Sequence, residues 1–200
     1  DLSAGSTPTG IWWDGTSIWA TNMTANTVTK INAITGATIG TYAVGTGPMA
    51  ITGDGIYIWV ANAFTNTVTK LVGSSGALVG TYTVGSNPYG IAFDGTNIWV
   101  ANYSSATVTK LLAYSGAVLG TYNVGRGPTG IAFEQGGYST SAVPNYDPKT
   151  YVWVTNQLAN TVSRVDSATG AVVATYPTAG APYWPTFDGS SIWIPNSTTH

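Results

Sequence analysis

The residues of this 200-residue chain best equipped for chemistry are its acids, and they recur at one interval. Asp14, Asp54 and Asp94 stand 40 residues apart, Glu134 falls in the same register, and Asp188 takes the matching place further on. Carboxylates on a common period suggest calcium, which binds through several oxygens held within a few ångströms of one another. One carboxylate per repeat does not meet that requirement, and the glycine after each of the four aspartates marks a turn instead. Asp-Gly predicts a tight hairpin in which both central residues take positive φ. Lys30, Lys70, Lys110 and Arg164 recur in the same way. At strand ends they are expected to lay their stems along apolar neighbours and place their charges in water. The single histidine, His200, is the last residue, a poor place for a general base. Cysteine is absent, which rules out disulfides and thiolate metal sites. Neither a catalytic group nor a metal nor a cofactor is therefore expected.

Composition narrows the setting. Hydrophobic residues make up 44% of the chain and aromatic ones 12%, enough for an ordered core. Charged residues reach only 7%, against roughly 25% in an ordinary soluble domain. With 32 threonines against 14 charged residues, the surface must be largely hydroxyl and amide, so an extracellular or cell-surface location is expected. A net charge of −2 supplies no basic footprint for nucleic acid. No apolar run approaches the ~18 residues of a membrane helix, so membrane insertion is not expected.

The elements that position these residues are repeats. Pro8, Pro48, Pro88 and Pro128 are spaced by 40, and the next equivalent is Pro182. Each unit holds four strand-length runs rich in Val, Ile, Thr, Trp and Tyr, bounded by Gly, Asn or Pro. In the third unit they are Gly90-Ile91-Ala92-Phe93, Ile98-Trp99-Val100-Ala101-Asn102, Thr107-Val108-Thr109-Lys110-Leu111 and Ala117-Val118-Leu119-Gly120-Thr121-Tyr122. Trp19, Trp59, Trp153 and Trp193 repeat the tryptophan, with Asn22, Asn62, Asn156 and Asn196 three residues later. No window has helical periodicity. Four antiparallel strands in about 40 residues, apolar on both faces, form one β-propeller blade, with tryptophan in the joint between blades.

The fold class is thus all-β: one propeller domain over 1–200, about five blades, the fifth incomplete. Residues 1–7 end an outer strand, 8–47, 48–87, 88–127 and 128–181 are blades, and 182–200 is a partial blade. A loop insertion at 135–150 interrupts the period between the first two strands of the fourth blade, and its Tyr138, Tyr146, Asp147 and Lys149 could make contacts.

The motifs IWVAN, NTVTKL and GTYxVG resemble the YVTN-type propeller repeats, which are similar to those of streptogramin lyases and NHL proteins. The resemblance covers nearly the whole chain and implies the propeller fold. Such repeats occur in surface-layer and secreted proteins. Streptogramin lyases use histidine and a divalent metal; no internal position here supplies that histidine, so no catalytic residue carries over.

The repeats end unevenly. A five-bladed ring would lack its third strand, the TVTKL element. Either a longer polypeptide completes it, or another copy of the chain adds a strand at an open edge, which head-to-tail would make a fibre.

Binding is the expected use. Loops joining the blades, and joining second to third strands, share the face around the central channel. They carry Met23, Met49, Phe64, Tyr89, Tyr103, Arg126, Gln157, Tyr183 and Trp184. Of these, Phe64, Tyr89, Tyr103, Arg126, Tyr183 and Trp184 are the candidate ligand-binding residues. Aromatic rings edged by amides suit a glycan or a peptide. Asn22, Asn102 and Asn196 begin glycosylation sequons, although the asparagine also belongs to the repeat. The expected function is a secreted or surface non-catalytic binding or scaffolding propeller. Its alternatives are a structural fibre subunit and a lyase- or lactonase-like enzyme.

Overall fold

A computed structural model describes residues 7–134 and 150–197. Blade 1 is β1 (Pro8–Trp13), β2 (Ser17–Asn22), β3 (Thr27–Asn32) and β4 (Thr38–Ala43). Blade 2 is β5 (Pro48–Gly53), β6 (Tyr57–Asn62), β7 (Thr67–Val72) and β8 (Leu78–Thr83). Blade 3 is β9 (Pro88–Phe93), β10 (Asn97–Asn102), β11 (Thr107–Leu112) and β12 (Val118–Asn123). Blade 4 is β13 (Pro128–Glu134), β14 (Tyr151–Asn156), β15 (Thr161–Asp166) and β16 (Val172–Pro177), with a short 3-10 turn at Gln157–Ala159. Each is a four-stranded antiparallel meander. The fifth unit holds two short ladders, β17 (Ala181–Pro182) with β20 (Asn196–Ser197) and β18 (Thr186–Phe187) with β19 (Ile192–Trp193). The fold is a β-propeller of four full blades and an incomplete fifth.

Strands β1, β5, β9 and β13 touch in succession and line the axis. The second strands lie deepest: every residue of β10 is buried. A sheet apolar on both faces cannot stand alone in water, so each blade hides its sides against the next. Trp19, Val28 and Tyr42 of blade 1 meet Ile51, Ile58 and Leu71 of blade 2. Trp59, Val68 and Tyr82 meet Ile98 and Leu111 at the next joint, and Trp99, Val108 and Tyr122 meet Val152 and Val165 at the third.

Two polar devices fasten each joint, and both correct expectations drawn from the sequence. The Asp-Gly turns were expected to place both residues at positive φ, but only the glycine does so, as in Gly15 at 95°. The Asp14 carboxylate instead accepts the backbone N–H groups of Thr16 and Ser17 and, at 2.9 Å, the indole N–H of Trp19. Asp54 and Asp94 hold Trp59 and Trp99 in the same way. Burial pushes the Asp14 carboxyl up, but the Trp19 indole, the two backbone donors and the Thr16 hydroxyl outweigh it and leave its pKa lowered. These carboxylates clamp the tryptophan.

The lysines do not put their charges in water. Lys30, Lys70 and Lys110 are buried. Lys30 Nζ crosses the joint to donate to the Gly73 carbonyl at 2.7 Å, and Lys70 donates to those of Ala113 and Tyr114. Lys110 reaches the carbonyl of Ser167 at 2.6 Å. The turn after each third strand presents carbonyls to the preceding blade, and the long lysine stem delivers its ammonium there. Arg164, in the same register, instead pairs with Glu134 at 3.4 Å and lies over the Tyr151 ring.

In blades 1 to 3 the tyrosine of the fourth strand completes the joint by covering a glycine of the next blade, Tyr42 over Gly76, Tyr82 over Gly116 and Tyr122 over Gly170. A Cβ at Gly116 would lie 2.0 Å from Tyr82 Cζ, whereas one at Gly36 of blade 1 would meet nothing within 4 Å. Both glycines have positive φ, so alanine at either costs about 1–2 kcal/mol in backbone strain. Gly116→Ala must also displace Tyr82, adding about 1–3 kcal/mol of overpacking. Urea denaturation should therefore rank Gly116→Ala clearly below Gly36→Ala in stability.

Candidate functional site

The face formed by the blade-to-blade connections and the second-to-third-strand loops is built on the repeated asparagine. Asn22, Asn62, Asn102 and Asn156 are buried at the ends of their strands. In blade 3, Asn102 Nδ2 donates to the hydroxyls of Thr107 and Thr109, tying the loop base to the next strand. Asn22 does the same with Thr27 and Thr29. Two of the three sequon asparagines are thus buried, with their amide nitrogens bonded to threonine hydroxyls. Asn196 is exposed.

On that base the residue after each asparagine is held by a backbone bond to the neighbouring connection. Tyr103 N–H donates to Asn87 O, and Gln157 N–H to Gly127 O. Tyr103 is thereby set beside Tyr89, at the start of β9, with ring centroids 5.9 Å apart and planes tilted by 37°. Its hydroxyl donates to Gln157 Oε1 at 3.2 Å, linking blade 3 to blade 4. Tyr183 of the fifth unit, fixed by its N–H to Pro195 O, stands close enough to act on Tyr89 electrostatically. Burial, then Tyr183 and Tyr103, push the Tyr89 hydroxyl above the ordinary tyrosine pKa. Tyr89 and Tyr103 form a ring pair, and Tyr183 holds in the fifth unit the position that Tyr89 holds in blade 3; all three are half-buried.

The sequence explains why a tyrosine projects at this point. In blades 1 and 4 the residue after the proline is a threonine bonded to a second threonine on the neighbouring strand, Thr9 to Thr21 and Thr129 to Thr155. Blade 3 has Ala101 where that partner would be, and Tyr89 takes the first position. The side chain is not tied into the sheet and stacks at the mouth instead.

The other candidates separate. Trp184 is half exposed and belongs to the channel wall, in a cavity of about 250 Å³ shared with Met49, Ile91 and Ile131. Arg126 is exposed and lines a cleft of about 270 Å³ with Tyr103, Ser104 and Leu158. Phe64 does not join the cluster: it lies over Gly47 at the junction of blades 1 and 2. Leu158, in register with Phe64, was not among the residues singled out from the sequence, although the 40-residue period would have found it. His200 and the insertion residues Tyr138, Tyr146, Asp147 and Lys149 lie outside the described residues. Among the described residues, no three His, Cys, Asp or Glu side chains gather as a metal would require. None of the helices there is long and apolar enough to cross a membrane.

No protein-family model and no curated protein matches the chain. Solved structures do. Kuenenia stuttgartiensis hydrazine synthase superposes with a TM-score of 0.76 at 20% identity, over 96% of this chain and 56% of that one. A streptogramin B lyase structure gives 0.75 at 21% identity, over 96% and 63%. A protein of unknown function from Desulfotomaculum acetoxidans gives 0.75 at 14% identity, over 93% and 61%. At these identities the likeness establishes the propeller fold, and the chain spans about three fifths of the length of each.

Coupling within the cluster is open to titration. The free tyrosine pKa is about 10, and Tyr89 should ionise at a higher pH than a free tyrosine. Tyr183→Phe removes one charge that opposes its ionisation, so the Tyr89 pKa should fall back towards the ordinary value. Alkaline titration followed by tyrosinate absorbance, with Tyr89→Phe to assign the step, measures this.

Proposed function

We propose that this chain is a non-catalytic binding module, displayed outside the cell, that takes a saccharide or peptide on its tyrosine-lined mouth. The observation that carries this reading is the pairing of the Tyr89 and Tyr103 rings at 5.9 Å, with the Gln157 amide of blade 4 bonded to Tyr103 and with Tyr183 holding in the fifth unit the position that Tyr89 holds in blade 3. Ring faces held by a rigid scaffold offer apolar area at little entropic cost, and adjoining hydroxyl and amide groups supply direction. The extracellular setting is supported by the scarcity of charge and the wealth of threonine.

A structural reading has its own support. On blade 1 the face matching the buried Ile51 of blade 2 is uncovered, with Ile11 71% exposed, and Trp193 of the fifth unit is 62% exposed. Apolar faces of this kind fit a subunit that joins other copies of itself, up to a fibre. The enzyme reading draws on the likeness to the streptogramin B lyase structure. It calls for histidine and carboxylates converging on the channel.

Binding by the mouth is tested with a glycan array followed by calorimetry. Tyr89→Ala and Tyr183→Ala should each weaken the strongest hit about tenfold, equivalent to ~1.4 kcal/mol. Phe64→Ala should leave it unchanged. Affinity indifferent to both tyrosines would discard the mouth as the site. Sedimentation tests the structural reading: concentration-dependent growth that Ile11→Asp abolishes supports it, and a monomer at all concentrations removes it.

A further inference from the structure

The charged side chains of this propeller are sorted by face. Asp14, Asp54, Asp94, Glu134, Asp166 and Asp188 all stand where first strands turn into second strands or third into fourth, at the end away from the tyrosine cluster. Lys30, Lys70 and Lys110 are spent on carbonyls at that same end, and Arg164 on Glu134. Among the described residues, the loops of the mouth carry a single charged side chain, Arg126, with which no carboxylate there pairs. Among the described residues, the one fixed charge of the mouth is thus positive, on a chain of net charge −2.

Arg126 sits where that charge can be used. It shares its cleft with Tyr103, the residue that also stacks on Tyr89 and bonds Gln157. Ser104 and Leu158 line the same cleft. A guanidinium presents paired N–H donors that match a carboxylate, and with no carboxylate paired to it among the described residues, its field favours anions over neutral ligands.

Resting on the binding role proposed above, we infer that the ligand of this mouth is an acidic saccharide, with a uronate carboxylate on Arg126 and the adjoining sugar rings against Tyr103 and Tyr89. A saccharide is favoured over an acidic peptide by the partners on hand. These are two neighbouring tyrosine rings with a hydroxyl and an amide beside them, matching hydroxylated rings better than a peptide backbone. One fixed cation suits one carboxylate per bound stretch, whereas a run of acidic side chains would call for several.

The test compares tri-galacturonate with its methyl ester, a pair alike in shape and different in charge, on the full chain by calorimetry. The acid should bind about tenfold tighter than the ester at low salt. The difference should shrink as salt is raised and vanish in Arg126→Gln, with Arg126→Lys recovering part of it. Because Arg126 is exposed, both variants should keep the parent's circular dichroism and melting temperature. If acid and ester bind equally, and both are weakened by Tyr89→Ala, the acidic preference is wrong while the binding mouth stands. If a poly-glutamate peptide binds through Arg126 and neither sugar does, the saccharide class is wrong. If no glycan or peptide binds, the inference and the binding role fall together.

Discussion

A four-stranded sheet that is apolar on both sides has no stable existence in water until something covers it, and this chain meets that demand with itself. Each blade offers a tryptophan, valine and tyrosine side to the isoleucine, valine and leucine side of the next. Burial of this kind is non-directional, so it would tolerate sliding and rotation between sheets. The polar parts of the joint remove that freedom. An aspartate fixes the indole, a tyrosine occupies the space over a glycine, and a lysine ammonium must find the carbonyls of a particular turn.

Buried lysines of this kind are costly unless their hydrogen bonds are met, because an ammonium removed from water without partners loses far more than it gains. Here backbone carbonyls of the following blade provide the partners, so the charge is tolerated only when two blades are correctly apposed. At the fifth unit this device is absent, and Trp193 keeps its aspartate bond while most of its ring faces solvent.

The same economy of joints explains the division of labour around the ring. Residues committed to stacking cannot vary without breaking a joint, which concentrates freedom in the loops at the ends of the strands. One end carries the carboxylates that clamp tryptophan. The other is left with asparagine bases, short loops and the residues that differ between units, and there Tyr89, Tyr103, Gln157 and Arg126 stand. Among the described residues, the segregation of charge follows from the joint's use of aspartate at a single end.

Much of this was legible from the residues. A 40-residue period, strands of β-branched and aromatic residues, and turns of Gly, Asn and Pro carry the blades, the order of their strands and the buried role of Trp19, Trp59 and Trp99, because local propensity and repetition act along the chain. The exposed place expected for Lys70 was wrong, since its partners, Ala113 and Tyr114, lie 43 and 44 residues away on another blade. The asparagines of the sequons at Asn22 and Asn102 also belong to the repeat, and only the fold shows their amides engaged by threonines across a strand pair. Phe64 and Tyr103 looked alike as loop aromatics, and only the curvature of the ring places one over Gly47 and the other beside Tyr89. By itself the sequence determined the module and its repetition, which depend on neighbours a few residues apart. The tertiary structure alone decided which side chains meet across blades, because burial, charge pairing and ring contact depend on distances in space that no spacing along the chain encodes.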